Sequence, residues 1–223
     1  GAIITPRFTP SCTREYLQGL GKLRKEYNLP SMSHLDENLS EVEFVKELEP
    51  WAKNYAETYN DAGLLGKDHK CIMAHSIFTN EDEIKLMKEN DVYVAHCPDC
   101  NMNVKSGIAP VARYLKEGIH VGLGTDVAGG SHMNLFKEMA EAIQVSKLYY
   151  RYISNELPPL TAEDAFFIGT RDGGSFFGKV GAFEKDYEFD ALVIDDSSIK
   201  TTLELSLEER LERVIYWAKE EMI

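Results

Sequence analysis

The chain has 223 residues, 43% of them hydrophobic and 10% aromatic, which is enough length and apolar content for a packed core. Against 37 Asp and Glu stand 24 Lys and Arg, a net charge of −13 that repels phosphate backbones and anionic membranes and argues against nucleic acid as a partner. No apolar run reaches the ~18 residues needed to span a bilayer, and the opening residues lack the charged and apolar zones of a signal peptide, so a cytoplasmic protein is expected. Cys12, Cys71, Cys97 and Cys100 are too few and too irregularly spaced for a disulfide scaffold. Cys97-Pro98-Asp99-Cys100 is a C-x-x-C, but the second pair that a structural zinc site needs is absent.

In chain order, residues 2–5 read as a strand, and Thr13 as the N-cap of a helix with Leu17, Leu20 and Leu23 at helical spacing. A second strand leads into Ser33-His34. Ser40 with Glu43 three residues later forms a capping-box pattern before Val42, Phe44, Val45 and Leu48. Residues 70–75 read as a third strand, followed by a helix to about Asn90 that Thr79 and Asp82 would cap. Residues 92–96 form the next strand. A loop then runs to Gly107, and a helix over 109–117 stops at Gly118. Residues 119–123 make one more strand, and helices are predicted over 134–152 and 161–168, the latter capped by Thr161 with Asp164. Beyond Gly173-Gly174 the texture turns glycine-rich, residues 189–195 read as a strand, and residues 207–222 as an amphipathic helix with Leu211, Val214, Ile215 and Ala218 on one side.

Alternating apolar runs and amphipathic stretches are the signature of βα units around a parallel sheet. The expected fold is α/β, with the strands of part of a TIM-type (β/α)8 barrel over residues 1–175. The start of a small β domain is expected over 176–196 and a helical segment over 197–223. Pro6-Arg7-Phe8, Ser33-His34-Leu35-Asp36-Glu37, Ala74-His75 and Gly124-Thr125-Asp126 each follow an apolar run. In a parallel barrel such strand ends share one rim, so His34, His75 and Asp126 would meet in one cleft.

Singly, each residue has an ordinary explanation. His34 reads as a hydrogen-bonded core histidine, Glu37 as a solvated loop charge and Asp126 as a turn residue. Their joint occurrence at three strand ends favours a metal site. Imidazoles with a carboxylate suit Zn²⁺ or Fe²⁺ better than Ca²⁺ or Mg²⁺, which take oxygen shells. A divalent metal makes hydroxide available near neutral pH, and Glu37, three residues from His34, is placed to move protons. His69 and His120 lie at the other end of their strands and read as structural. His96 reads as lying behind the site, and His132 follows a double glycine in a loop. Neither a complete G-x-G-x-x-G nor a G-x-S-x-G is present.

Pro6-Arg7-Phe8 with Cys12, Ser33-His34 through Glu37-Asn38, Met73-Ala74-His75, Ala95-His96-Cys97-Pro98 with Asn101, and residues 122–130 carry a resemblance over almost the whole chain. They resemble the amidohydrolase superfamily and, within it, the guanine deaminases. The His34, His75 and Asp126 signatures are shared with aryl chlorohydrolases and adenosine-type deaminases; Pro6-Arg7-Phe8 points to guanine.

The resemblance implies hydrolytic deamination of guanine to xanthine and ammonia at one zinc, with iron the other candidate. His34 and Asp126 would ligate the metal, while Glu37, His75 and Asp126 would be catalytic. Arg7, Phe8, His34 and Glu37 would contact the purine base. It further implies a homodimer. Cys100 departs from the serine usual at its position. The H-x-H pair and the opening strands of the family's barrel are not in this sequence, so an N-terminal barrel segment is missing and the metal would be underliganded. A non-catalytic scaffold fragment is the alternative outside the enzyme class.

Overall fold

The computed structural model describes residues 1–219 and Met222. Four strands, β1 (Ser31–Leu35), β2 (Cys71–His75), β3 (Val92–His96) and β4 (His120–Leu123), form one parallel sheet in sequence order, each pairing with the next. Sequential parallel neighbours joined by helical crossovers make the arc of a barrel wall. The expected first strand at residues 2–5 is reduced to one parallel bridge from Ile4 to Ser31, held by Ile4 N–H to Pro30 O (2.9 Å) and Met32 N–H to Ile4 O (2.8 Å). Pro6 stops that ladder, since it has no N–H to donate.

The crossovers are α1 (Arg14–Glu26), α2 (Leu39–Leu48), α3 (Tyr55–Asp61), α4 (Glu81–Glu89), α5 (Pro98–Asn103) and α6 (Val111–Glu117); α7 (Leu135–Tyr152), α8 (Ala162–Phe167) and α9 (Leu207–Trp217) follow. Thr13 and Thr161 cap α1 and α8 as predicted, and Gly118 ends α6 with φ 74°. Two caps differ from expectation. Asn38 and Asn80, not Ser40 and Thr79, accept the first-turn amides of α2 and α4, and Glu83 completes the capping box at Asn80. Thr79 instead shares a 2.6 Å hydrogen bond with the Tyr114 hydroxyl. The segment before Gly107 is not all loop, because Pro98 at the first helical position opens α5.

The main core lies between the sheet and its helices, built on Leu17, Leu35, Tyr59, Met73, Val94, Tyr114 and Val121. A smaller cluster of Met139, Ile143, Ala165 and Ile215 joins α7, α8 and α9, so the tail helix folds back onto the barrel helices. α9 ends at Trp217, short of the predicted Met222; Glu220 and Glu221 lie outside the described residues. Residues 189–195 pair with no strand among the described residues. Their Asp195 N–H reaches Met222 O at 2.9 Å, and Phe189 and Val193 are exposed. The predicted strand has the right pattern and no neighbour to complete it.

Candidate active site

The end of β1 is held from behind by one buried phenol. Tyr59 on α3 donates to His34 O (2.7 Å) and accepts from Ser33 Oγ (2.9 Å) and Thr9 N–H (3.1 Å). Those bonds tie the Pro6–Thr9 segment to the strand that carries His34. At the strand ends the backbone turns left-handed, with φ 50° at Asp36, 68° at His75, 47° at Ser76 and 44° at Asp126. Non-glycine residues in that region carry strain of about 1–3 kcal/mol each, which concentrates where side chains must be aimed.

His34 Nδ1 lies 2.6 Å from Arg7 O, so Nδ1–H donates and Nε2 is the free nitrogen. Its ring stacks on His75, with centroids 5.3 Å apart and planes at 23°. His75 is fully buried; Nδ1 meets Asn101 Oδ1 at 2.8 Å, and Nε2 has no hydrogen-bond partner. That nitrogen stands 3.8 Å from Glu37 Oε2 and 3.8 Å from Asp126 Oδ2. Ser106 donates to Glu37 Oε1 (3.1 Å), and Cys100 Sγ–H donates to Asp126 Oδ2 (2.9 Å). Burial, then the hydrogen bond to Asp126, pushes the Cys100 thiol up to about 12, so it stays a donor.

Four predicted residues therefore converge: His34, Glu37, His75 and Asp126. Arg7 lies at their edge, exposed, with its guanidinium 4.9 Å from the centre of the Phe8 ring. Ligand atoms within 4.8 Å of one another come from Glu37, His75 and Cys100. His96 is buried behind this group, and burial followed by the charge of His75 pushes its imidazole down to about 3, so the ring is neutral. His120 stands away from the rim, bonded to Asp172 (2.6 Å) and stacked on Tyr93.

Asp36 turns away from the cleft and is buried, its carboxyl pushed well above the usual range by burial and by Glu83. Sequence reasoning missed Ser106, the bond from Cys100 and the inward turn of Asp36. The Cys100 contact had a signal, since the C-x-x-C follows a strand whose end reaches the rim.

The donor set fits a divalent metal: a free imidazole nitrogen on His34, the Asp126 carboxylate, and an unpartnered buried Nε2 on His75 facing two carboxylates. The chain belongs to the amidohydrolase family, which matches it over residues 1–221. It is 37% identical over 206 residues to the guanine deaminase of Mus musculus, covering 91% of this chain and 45% of the mouse protein. Over 199 residues it is 37% identical to a probable guanine deaminase of Schizosaccharomyces pombe, covering 88% of this chain and 37% of that protein. Among solved structures, a guanine deaminase from C. acetobutylicum with guanine bound in its active site superposes with a TM-score of 0.94 at 47% identity. That match covers 99% of this chain and 52% of the other. The chain thus spans about half the length of the relatives it matches.

Proposed function

We propose that the protein to which this chain contributes hydrolyses guanine to xanthine and ammonia with one divalent metal, zinc or iron. The observation that carries the reading is the pairing of two carboxylates around one unpartnered imidazole nitrogen, with a second imidazole stacked on it. The likeness to guanine deaminases supports the choice of base.

His34, through Nε2, and Asp126 would hold the metal, with further ligands from outside this chain. The metal supplies Lewis acidity and lowers the pKa of the attacking water. Glu37, steadied by Ser106 at one oxygen, has the other free to take a proton from that water and deliver it to a ring nitrogen of guanine. Asp126 would accept the second proton and pass it to the departing amine, which leaves as ammonia. His75, anchored by Asn101, directs Nε2 at the reacting oxygen. The exposed Arg7 guanidinium donates to the purine carbonyl, and Phe8 packs against the flat base.

Residues 176–196 belong, in this reading, to a small β domain completed by another segment of the full-length protein. Homodimerisation rests on the family resemblance, and a cytoplasmic location agrees with four unpaired cysteines. Among the described residues no helix is long and apolar enough to cross a membrane. The test is a purine panel on the full-length protein. Guanine should yield xanthine, and turnover of a chlorotriazine or an adenosine derivative with guanine inert would overturn the assignment.

A further inference from the structure

A second constellation of ligand-type side chains lies where α5, α7 and the loop before α7 meet. Asp99 comes from the first turn of α5, His132 from the loop, Glu138 from the first turn of α7 and Glu141 from the next. One ligand atom from each falls within 4.8 Å of the others. His132 Nε2 is 3.2 Å from Glu141 Oε2 and 3.6 Å from Asp99 Oδ2; on the other side of the ring, Nδ1 is 3.8 Å from Glu138 Oε1.

The charge does not balance. Three carboxylates surround one imidazole, and even a protonated His132 would leave an excess of negative charge. Lys137 reaches only the Glu141 Oε1 edge, at 3.8 Å, from an exposed position. Glu138 is the group most at odds with its surroundings. Its side chain has 0% exposure; Oε2 accepts Asp99 N–H at 3.4 Å, and Oε1 has no partner and points at the His132 ring. A buried carboxyl oxygen left without a partner is costly.

The spacing suits an ion. Atoms bound to one tetrahedral metal at bonds of about 2.1 Å lie about 3.4 Å apart, and the two Nε2 separations, 3.2 and 3.6 Å, bracket that value. Asn134 N–H approaches Nδ1 at 3.3 Å, so in the metal-free arrangement Nε2 carries the ring proton and faces Glu141. Metal at Nε2 would displace that proton. The ring would then carry a proton on Nδ1, giving up the Asn134 N–H, with the unpartnered Glu138 oxygen 3.8 Å away as its acceptor, a carboxylate–imidazole–metal relay.

We propose that Asp99, His132 and Glu141, backed by Glu138, form a second divalent-cation site, distinct from the candidate active site and contained wholly within this chain. One imidazole with carboxylates suits Zn²⁺ or Mn²⁺ rather than Ca²⁺ or Mg²⁺. Asp99 Oδ2 also accepts the Ser131 N–H, so the ion would clamp the loop from Asp126 to His132 onto α5 and α7. Its role is to hold that loop, and with it Asp126.

The test uses the full-length protein stripped with chelator and titrated with Mn²⁺ alone, free ion being read by electron paramagnetic resonance. Wild type should bind one equivalent more than the double variant His132→Gln/Glu141→Gln, in the native background and in His34→Ala alike. Equal stoichiometry would overturn the proposal. Wild-type crystals soaked in Mn²⁺ give a readout that needs no variant to fold. An anomalous peak between Asp99, His132 and Glu141 is expected, and its absence at saturating Mn²⁺ would overturn the site equally.

Discussion

The division of labour between Glu37 and His34 is visible in single hydrogen bonds. Glu37 has one oxygen tied to Ser106 and the other turned to His75, while His34 has its Nδ1 spent on a carbonyl and only Nε2 to offer. Glu37→Gln keeps the size and the Ser106 contact and removes proton transfer, a contribution typically on the order of 10²- to 10⁴-fold. Turnover in the full-length protein should fall at least about 10²-fold with active-site metal near wild type, as read by steady-state kinetics and metal analysis. His34→Ala should lose that metal and activity together. A Glu37→Gln protein that had lost its metal, or kept its rate, would move the proton path to Asp126 and His75.

Elements hold the site as much as residues do. Tyr59, on α3, bonds to three groups of the Thr9 and β1 segments at once, and burial raises its hydroxyl to about 12, so it remains a protonated donor. Tyr59→Phe leaves Thr9 N–H and His34 O without that partner, a loss of about 1–3 kcal/mol per buried group left unpaired. The denaturant midpoint should drop accordingly. Because the Thr9 segment that carries Arg7 is tied to β1 through this hydroxyl, KM for the purine should rise more than kcat falls; an unchanged KM would detach Tyr59 from substrate binding.

A second tie links β4 to the helical turn at Ile168–Asp172, where Asp172 accepts from both the His120 ring (2.6 Å) and Val121 N–H (2.7 Å). That hydrogen bond raises the His120 pKa, with the charges of Asp172 and Asp91 adding to it against partial burial. An unfolded imidazole titrates near about 6.5, so the folded protein keeps its proton to higher pH. The stability contributed is complete below about 6.5 and is lost as pH rises through the folded value. Urea midpoints of wild type and His120→Asn should therefore differ most at acidic pH and converge toward pH 8.5. A gap that widened with pH would contradict the pairing.

The β1 to β4 strands, their order and most helices were legible because apolar runs of strand length recur between capped amphipathic stretches. Two of the caps were displaced by one or two residues, since Asn38 and Asn80 compete with neighbouring Ser40 and Thr79 and only packing decides between them. Helix α5 carries its chemistry on Asp99, Cys100 and Asn101 without apolar periodicity, so only Pro98 announced it. The convergence of His34, His75 and Asp126 followed from strand order. The Ser106 contact joins residues 69 positions apart and had no local signature.

At the scale of the whole molecule the surface is unfinished. A wide groove of about 1120 Å³ opens over the sheet at Tyr93, Leu123, Phe167 and Phe176, and Phe177, Phe183, Phe189 and Val193 are 79%, 77%, 84% and 87% exposed. Contiguous apolar surface of this kind marks an interface. The matched relatives are about twice as long, and a sheet of four sequential parallel strands is half of an eight-stranded wall. On the proposed reading, the remaining half of the barrel would cover the groove and bring the further ligands for the active-site metal. The chain expressed alone should bind an apolar fluorescent dye strongly and hold no metal at His34 and Asp126, whereas the full-length protein should exclude the dye and retain that ion. Equal dye binding by the two would mean the groove stays open in the complete protein, and metal held at His34 and Asp126 in the chain alone would show that this half needs no ligand from the other.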